Sequence, residues 1–271
     1  MKKTVSLALV AGSLASTLAW AQAPEVSLAR IDCGTAAQPV DANLRWNDTY
    51  TTKQNNITFT FSCYLIKHGD DYMVWDTGFA PGTSPNAAKV GLAERLAEVK
   101  VKPEQVKFVG ISHFHADHTG QLAPLTAATL LIGKGDWDGI NANPPMAGAN
   151  VAGFKDYMGA NARKVESLTL DKDVFGDGTV MVIRTPGHTP GHMSALVKLR
   201  SGKNYLLSGD AVHFHENWDT NSVPGFNYDR SQTLASMDRM RKIAENLKAT
   251  LVIQHDPRDI GKLPAWPAVA R

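Results

Sequence analysis

Apolar and polar side chains alternate early in the chain in a pattern that predicts paired strands. Residues 57–61 alternate, residues 63–66 form an apolar run, and residues 72–75 form a second run beyond the turn at residues 68–71. This arrangement is typical of a β-hairpin. Residues 87–99 then carry apolar side chains at the spacing of a helix, which predicts an amphipathic helix.

Similar patterns continue to the C-terminus and predict further strands and helices. Residues 232–247 have a helical pattern, whereas residues 133–161 are rich in Gly, Asn and Pro and predict an irregular segment. This segment either borders a site or is a plain surface loop. Apolar runs predict strands at residues 108–111, 129–132, 180–184, 194–199, 205–208 and 251–254. Strand hairpins mixed with crossover helices predict an α/β domain in which two sheets pack face to face with helices outside.

The N-terminal residues have the features of a secretory signal. Two lysines precede a mostly apolar stretch at residues 5–18, and residues 19–21 (Ala-Trp-Ala) fit the pattern of a cleavage site. The apolar stretch is shorter than the roughly 20 residues that span a bilayer, which favours cleavage over a membrane anchor. We therefore expect a signal peptide at residues 1–21, a mature domain at residues 22–271, and a periplasmic or secreted protein without stable membrane insertion.

Composition narrows the classes of function. The chain has 271 residues, of which 43% are hydrophobic and 20% charged, enough to bury a sizeable core in one domain. Without the two lysines before the cleavage site, 26 basic residues balance 26 acidic residues. A neutral chain without a polybasic segment predicts no nucleic-acid partner and favours a small-molecule substrate. The sequence leaves the oligomeric state open.

The two cysteines, Cys33 and Cys63, both follow the predicted cleavage site. An oxidising compartment permits them to pair as a disulfide. Because the sequence does not give their separation in space, two buried free thiols are an equal alternative.

A short segment directly after the strand at residues 108–111 concentrates metal-binding side chains. His113, His115, Asp117 and His118 occur within six residues, and borderline metals such as Zn²⁺ accept all of these donors. His113 and His115 suit one ion, whereas Asp117 and His118 are placed to serve a neighbouring ion. On a strand-to-helix loop, such a run predicts a metal site.

Three further candidate ligands follow the ends of later strands. His188 follows a Thr-Pro-Gly turn, Asp210 follows a Ser-Gly turn, and His255 follows the apolar strand at residues 251–254. A tetrahedral ion needs ligands beyond the first cluster. The repeated placement at strand ends favours one shared edge of the two sheets.

The order of these motifs resembles the metallo-beta-lactamase superfamily across nearly the whole mature chain. The motifs are His-x-His-x-Asp-His at residues 113–118, Pro-Gly-His ending at His188, Gly-Asp ending at Asp210, and the late His255. Residues 76–78 (Asp-Thr-Gly) also look like the early Asp-Thr-Gly turn of that superfamily. The resemblance implies an αββα sandwich with metals at one edge of the sheets.

The resemblance also implies the ligands of two metal ions. The first ion would be held by three histidines, the second by an aspartate and two histidines, and one aspartate would bridge them. These are His113, His115 and His188 for the first ion, Asp117, His118 and His255 for the second, and Asp210 as the bridge. Two Zn²⁺ ions are expected, and the same N and O donors also accept Fe, Co or Mn.

The bridging position of Asp210 narrows the choice within the superfamily. By resemblance, this carboxylate is typical of dinuclear lactonases, glyoxalase II enzymes and phosphodiesterases, and true β-lactamases lack it. The spacing from His118 to His188 and the Gly-Asp-Ala turn at Asp210 make the chain similar to N-acyl-homoserine lactonases. The implied reaction is attack of metal-bound hydroxide on the lactone, with Asp117 carrying a proton to the leaving group.

One position departs from the lactonase pattern. The better-known lactonases have a tyrosine three residues after the bridging aspartate that contacts the substrate carbonyl, whereas this chain has His213 there and His215 two residues later. Two interpretations stay open. His213 is either a catalytic residue that donates a hydrogen bond to the carbonyl oxygen or an exposed loop histidine.

Other functions are compatible with the same ligands. They are a β-lactamase, a thioesterase of the glyoxalase II type, an organophosphate hydrolase and a non-catalytic metal-binding protein. A β-lactamase is disfavoured by Asp210, and no obvious basic cluster is present for a glutathione thioester. A small-molecule lactone or ester is therefore the expected substrate.

Several other residues have two interpretations each. His192 either orients a metal ligand or is a hydrogen-bonded core histidine. Asp76 either stabilises its turn or bonds a metal-bound histidine. Six aromatic side chains either line an acyl-chain pocket or belong to the core: Trp46, Phe79, Trp137, Phe214, Trp218 and Phe226.

Overall fold

The computed structural model describes residues 24–51 and 53–271, and the predicted signal peptide lies outside them. The strands are β1 (Val26–Thr35), β2 (Val40–Asp41), β3 (Asn56–Ile57), β4 (Thr60–His68), β5 (Asp71–Trp75), β6 (Val106–Gly110), β7 (Thr129–Gly133), β8 (Val165–Leu168), β9 (Lys172–Asp173), β10 (Val180–Arg184), β11 (Met193–Lys198), β12 (Asn204–Leu207) and β13 (Ala249–Val252). The α-helices are α1 (Leu92–Glu98), α2 (Ala116–Thr119), α3 (Lys134–Asn141), α4 (His215–Thr220) and α5 (Arg230–Leu247). Short 3₁₀ helices lie at Pro103–Gln105, Val151–Tyr157, Gly209–Ala211 and Pro257–Lys262.

The strands form two main sheets and a short ribbon. The first sheet has the order β1-β4-β5-β6-β7-β8, antiparallel from β1 to β5 and parallel from β5 to β8. The second has the order β13-β12-β11-β10-β9, with β12 and β13 parallel and the other pairs antiparallel. β2 and β3 pair separately. Because β10, β12 and β13 run in one direction, their C-terminal ends meet at one edge.

Apolar side chains join the sheets and helices into four layers. Trp75 of the first sheet and Leu207 of the second belong to one buried cluster between the sheets. Leu96 of α1 belongs to the cluster on the outer face of the first sheet. Successive residues of a strand point to opposite faces, so Leu206 packs instead on the outer face of the second sheet, in one cluster with Met240 of α5. This architecture is the predicted αββα sandwich.

The predicted helix at residues 87–99 is shorter in the structure. α1 begins only after Gly91, whose N–H donates to the Glu94 carboxylate at 3.0 Å. Ala87 instead forms a bridge with Gly34 of β1, and the Ala88 N–H donates to the Cys33 carbonyl at 3.3 Å. The prediction of a helix at residues 87–91 was wrong. The backbone of residues 87 and 88 pairs with β1 instead, and the sequence pattern did not reveal that strand.

The prediction of an irregular segment at residues 133–161 was wrong for its first part, which forms α3. The glycines in this part serve close packing of the helix. A Cβ at Gly133 would lie 1.8 Å from the Gly191 carbonyl oxygen, and a Cβ at Gly135 would lie 2.7 Å from the Pro190 carbonyl carbon. The helix therefore lies directly against the loop that follows His188.

The two cysteines lie on neighbouring strands and form a disulfide. Cys33 of β1 and Cys63 of β4 have Cα atoms 5.8 Å apart. The disulfide decides between the two alternatives that the sequence left open. Separately, none of the helices in the described part of the chain is long and apolar enough to cross a membrane.

Candidate metal centre

The seven predicted ligands come together at one edge of the sandwich. The loop after β6 and the first turn of α2 supply four of them, and the loops after β10, β12 and β13 supply one each. We call His113, His115 and His188 the first half-site and Asp117, His118 and His255 the second half-site. Asp210 lies within ligand distance of both groups.

The first half-site presents three imidazole nitrogens and one carboxylate oxygen. His113 Nε2 lies 2.8 Å from His115 Nδ1, which lies 3.2 Å from His188 Nε2. Asp210 Oδ2 lies 3.7 Å from His113 Nε2 and 3.5 Å from His188 Nε2. These four atoms surround one point between them.

The second half-site presents two imidazole nitrogens and two carboxylate oxygens. Asp117 Oδ2 lies 3.4 Å from His118 Nε2 and 3.6 Å from His255 Nε2. The other oxygen of Asp210, Oδ1, lies 3.3 Å from His118 Nε2 and 3.0 Å from His255 Nε2. Asp210 thus faces each half-site with a different oxygen.

The spacing and bonding of these atoms fit metal ions. Ligand atoms of a tetrahedral ion at 2.0–2.1 Å lie about 3.3 Å apart, close to the distances found in both half-sites. His118 Nε2 and Asp210 Oδ1 are buried and have no hydrogen-bond partner among the described residues. Buried polar atoms normally have partners, and a cation would satisfy these two. The residues therefore form two adjacent candidate metal sites that share Asp210.

Charge at the site is set by burial and by carboxylates. Burial lowers the pKa of His113 and of His188 well below its usual value, which leaves the rings neutral, as metal ligands must be. Burial also lowers the pKa of His118, but Asp117 and Asp210 outweigh it and raise this pKa well above its usual value. The second half-site thus attracts positive charge.

Asp76 supports the second half-site by contacting the nitrogen of the His118 ring that faces away from the other candidate ligands. Its Oδ2 lies 2.9 Å from His118 Nδ1, and its Oδ1 accepts the Ser112 N–H at 2.7 Å. Asp76 is fully buried and has φ +54°, in the left-handed region that aspartate tolerates better than most residues. It therefore both holds the ring of a candidate ligand and stabilises its own turn, which combines the two interpretations of the sequence.

The rings of two more candidate ligands, His255 and His188, are also held by hydrogen-bond partners. His255 Nδ1 donates to the Thr60 carbonyl at 2.9 Å, and His188 Nδ1 lies 3.0 Å from Asn227 Oδ1. His192, which is fully buried, accepts the Asp210 N–H at its Nε2 at 2.8 Å. His192 is thus a hydrogen-bonded core histidine that also holds the backbone of the shared aspartate.

A cavity of about 630 Å³ opens above both half-sites. Of the six aromatic residues predicted for a pocket or the core, Trp46, Phe79 and Phe226 line it, together with Phe59 and Phe61. The other three of the six do not line it: Phe214 is buried behind Trp46, Trp137 packs on the cluster outside the first sheet, and Trp218 packs beside α5.

The wall of the cavity is built by two distant segments. The Trp46 ring lies 5.0 Å from the Phe226 ring and 5.1 Å from the His213 ring. The Asn217 side chain donates to the Trp46 carbonyl at 2.7 Å, and the Val223 N–H donates to Asp48 at 3.0 Å. These contacts fix the segment that carries Trp46 over the site.

The two histidines of uncertain role lie in different places. His213 is 1% exposed and lines the cavity, and its Nε2 lies 3.1 Å from Asp210 Oδ2. The interpretation of His213 as an exposed loop histidine was wrong. His215 does not line the cavity, and its Nε2 lies 2.6 Å from Asp259 Oδ1.

The comparison with known proteins agrees with this geometry. The sequence pattern of the metallo-beta-lactamase superfamily matches residues 61–255, which run from β4 to the last candidate ligand. The chain belongs to the metallo-beta-lactamase superfamily. The two half-sites, which share Asp210, are its candidate metal-binding region.

Relatives within the superfamily include curated lactonases. An N-acyl homoserine lactonase AttM from Azorhizobium caulinodans is 31% identical over 225 residues, 76% of this chain and 82% of that protein. An AttM from Rhizobium radiobacter is 34% identical over 169 residues, 62% of this chain and 64% of that protein. The alignment thus spans slightly less than two thirds of the second relative.

A solved structure has the same fold. It is an N-acyl homoserine lactone hydrolase with the product N-hexanoyl-L-homoserine bound at its catalytic metal centre. The TM-score is 0.77 at 19% identity, and the alignment covers 92% of this chain and 100% of that chain. At this identity the likeness shows the shared metallo-beta-lactamase fold.

The sequence did not reveal several residues that shape the site. Phe59 and Phe61 belong to β4 and its approach, and they point into the cavity because alternate residues share one face. Their spacing by two residues was the available signal. Asn227 and Asp136, which hold the ligand loops, act across long stretches of sequence and left no local pattern.

Proposed function

We propose that this protein hydrolyses the lactone ring of N-acyl homoserine lactones with the help of two metal ions. The observation that carries the proposal is the pair of half-sites sharing Asp210 at the base of a cavity with an aromatic wall. The curated lactonases among the relatives support the substrate class. The single Arg or Lys side chain among the described residues that line the cavity, Arg45, gives little support for a multiply charged substrate.

We propose Zn²⁺ as the metal in both half-sites. The nitrogen and carboxylate donors of this chain suit Zn²⁺, and they also suit Fe, Co or Mn. When bound, two such ions supply a nucleophile at neutral pH and polarise a carbonyl group. The protein contributes rings that are fixed from behind by Asp76, Thr60 and Asn227.

We propose that Asp117 transfers the proton from the nucleophile to the leaving group. Its Oδ2 faces His118 and His255, which leaves Oδ1 for proton transfer. The residue is also among those that line the cavity, within reach of a bound substrate. We infer that Oδ1 takes the proton released during attack and delivers it to the departing alcohol oxygen.

We propose that His213 donates a hydrogen bond to the substrate carbonyl. Burial lowers the pKa of His213, which favours a neutral ring with a single N–H. Because Nε2 lies next to an Asp210 oxygen, the hydrogen belongs on Nε2. This N–H lies 3.1 Å from Asp210 Oδ2 in the wall of the cavity, and we infer that it also reaches the carbonyl oxygen, where charge develops during attack.

The aromatic wall provides a surface for the acyl chain. Trp46, Phe59, Phe61, Phe79 and Phe226 surround the space above the half-sites. Burial of each methylene against such a surface contributes about 0.8 kcal/mol.

A parallel assay tests the proposal. The metal-loaded protein is offered N-hexanoyl-L-homoserine lactone, a glutathione thioester, a β-lactam and a phosphotriester. We expect ring opening of the lactone, its loss on chelation and its recovery with Zn²⁺. Hydrolysis of another substrate without the lactone would replace the substrate class, and full activity of metal-free protein would refute the role of the metals.

Two variants test His213 within the same assay. His213→Phe removes the donor, so kcat is expected to fall while the metal content stays at two ions. His213→Tyr supplies a hydroxyl in the same region and is expected to recover part of kcat. Equal losses in both variants would argue against a donor role.

We further propose that the protein is exported to the periplasm or the medium. The signal-like pattern at residues 1–21 and the disulfide between Cys33 and Cys63 support export, since disulfides persist in oxidising compartments. Fractionation of cells followed by N-terminal sequencing should find a chain that begins near residue 22. An unprocessed chain in the reducing cytoplasm would contradict the proposal.

A further inference from the structure

A buried carboxylate on α3 has no role in the proposed reaction. Asp136 is 0% exposed, and no ion pair with a Lys, Arg or His residue reaches it in the described ranges. Burial raises its pKa to about 7, although three hydrogen bonds lower it. Burying a carboxylate without a cation costs free energy unless hydrogen bonds compensate for the lost hydration. The groups that donate these hydrogen bonds to Asp136 are therefore the groups that it holds in place.

All three donors belong to loops that carry the first half-site. The Phe114 N–H, between His113 and His115, donates to Asp136 Oδ2 at 3.1 Å. The Thr189 hydroxyl, directly after His188, donates to the same oxygen at 2.8 Å. The Gly191 N–H, three residues after His188, donates to Oδ1 at 2.6 Å.

The packing around Asp136 leaves little freedom for these loops. A Cβ at Gly191 would lie 2.2 Å from the Asp136 backbone nitrogen, and a Cβ at Gly133 would lie 1.8 Å from the Gly191 carbonyl oxygen. The beginning of α3 and the loop after His188 therefore touch backbone to backbone. Asp136 fixes both ligand loops to this rigid contact at once.

The ligands of the second half-site make no hydrogen bond to this carboxylate, although Asp117 and His118 continue the run that contains Phe114. Its ligand His118 is held by Asp76, and its ligand His255 is held by the Thr60 carbonyl. None of the hydrogen bonds of Asp136 reaches Asp117, His118 or His255. Asp136 thus bonds only the loops around His113, His115 and His188, whereas Asp76 bonds the His118 ring and the Ser112 N–H beside His113.

We propose that Asp136 is a positioning residue that sets the metal affinity of the first half-site and affects that of the second half-site much less. The carboxylate holds the backbone on both sides of the ligand set, which keeps the rings of His115 and His188 converging on one point. This inference rests on the proposed dinuclear centre, and it does not depend on which ester or lactone is the substrate.

Metal titration of single-site proteins tests the inference. His255→Ala leaves only the first half-site complete, and His188→Ala leaves only the second. Asp136→Asn is added to each, and the affinity for Zn²⁺ alone is measured by competition with a chromogenic chelator. The amide must turn its NH₂ toward one of the three donors, so we expect about 10- to 100-fold weaker binding in the His255→Ala protein. We expect a much smaller change in the His188→Ala protein, because none of its remaining ligands lies directly beside a residue that Asp136 bonds.

A matched control and a milder variant separate positioning from general damage. Asp138→Asn makes the same change on the same helix at an exposed residue paired with Lys134, and we expect unchanged affinity in both proteins. Thr189→Val removes one donor without touching the carboxylate and should weaken the first half-site by a smaller factor. If Asp136→Asn fails to fold, the Thr189→Val variant alone tests whether the hydrogen bonds of Asp136 set the affinity of the first half-site.

The outcomes distinguish this inference from the proposed function. Equal weakening of both half-sites, or unchanged affinity at the first, would overturn the positioning role whatever the substrate is. Failure of the protein to bind Zn²⁺ in either single-site form would instead overturn the proposed metal centre. A selective loss at the first half-site supports the role even if no lactone is hydrolysed.

Discussion

The two half-sites share Asp210 but are supported in different ways. In the second, the Asp76 carboxylate bonds a ligand ring directly, 2.9 Å from His118 Nδ1. In the first, the support for His188 is the neutral amide of Asn227, at 3.0 Å. Asp136 holds the first half-site through backbone and hydroxyl donors of its loops. The second half-site therefore depends on charge next to a ring, and the first depends on loop geometry.

This difference has a chemical consequence. A carboxylate bonded to one ring nitrogen of a histidine makes the other ring nitrogen a stronger metal ligand. Its negative charge also favours a cation at that second nitrogen. A neutral amide orients a ring without adding charge. We therefore expect the second half-site to bind its metal more tightly than the first. Stepwise removal of metal by a chelator should take the ion of the first half-site first.

The largest effect is expected for Asp210→Asn, which removes the feature that the half-sites share. The amide retains one acceptor and turns a donor toward the other half-site. Bound metal should fall from two ions to one or fewer, measured by elemental analysis. Activity should fall by more than about 100-fold, because even partners behind the ligands are typically worth 10- to 100-fold.

Asp219→Asn is the control for this prediction. It makes the same change at an exposed residue of α4, and it should keep both ions and full activity. If the Asp210 variant kept two ions, this residue would not bridge them.

A smaller and unequal effect is expected for Asp76→Asn. Asparagine tolerates the left-handed backbone at φ +54°, so the turn should persist while the charge behind His118 is lost. Zn²⁺ should bind about 10- to 100-fold more weakly at the second half-site. The first half-site should weaken less in the His255→Ala background, because the asparagine oxygen can still accept the Ser112 N–H beside His113. An equal loss in that background would mean that Asp76 supports both half-sites alike.

The ligands themselves were accessible from the sequence because their signals are local. Residues 113–118 form one run, and His188, Asp210 and His255 each follow an apolar strand. Strands that run in one direction end at one edge, so placing the strands also placed the ligands. The αββα layers followed from the same alternation of strands and helices.

The residues that hold the ligands in place could not be predicted from the sequence, because they are far from the ligands along the chain. Asp136 bonds residues 22 and 55 positions away, and Asn227 bonds a ring 39 positions away. α3 was hidden by glycines that looked typical of a loop and in fact allow backbone contact with Gly191. A local pattern predicts donors for a metal, whereas the hydrogen bonds that orient them depend on tertiary contacts.

Substitutions at Asn227 test the difference between the two half-sites by changing the support of the first half-site, which is expected to bind its metal less tightly. Asn227→Ala removes the neutral, partly buried hydrogen bond to His188 and the one that the amide donates to Thr233. The bond to His188 is worth about 0.5–1.5 kcal/mol, so the first half-site should lose roughly 2- to 10-fold in affinity for Zn²⁺. Asn227→Asp gives His188 the arrangement that His118 has and should bind more tightly than the alanine variant. Chelator competition in the His255→Ala protein measures both. An aspartate variant that binds more weakly than alanine would contradict the role given to charge.

Removal of the disulfide should have the smallest effect on metal affinity, because the disulfide contacts the second half-site only indirectly, through the turn at residues 76–78. A Cβ at Gly78 would lie 2.6 Å from Cys33 Cβ, which shows how closely the bond packs against residues 76–78. Thr77 in this turn donates its N–H to the His118 carbonyl at 2.7 Å. Replacing both cysteines by alanine should lower the free energy of unfolding by about 2–4 kcal/mol in urea at fixed Zn²⁺. Affinity at the second half-site should change by less than about threefold, because Asp76 still holds His118 through a charge-assisted hydrogen bond. A larger loss at the first half-site than at the second would show that the disulfide supports the site by another route.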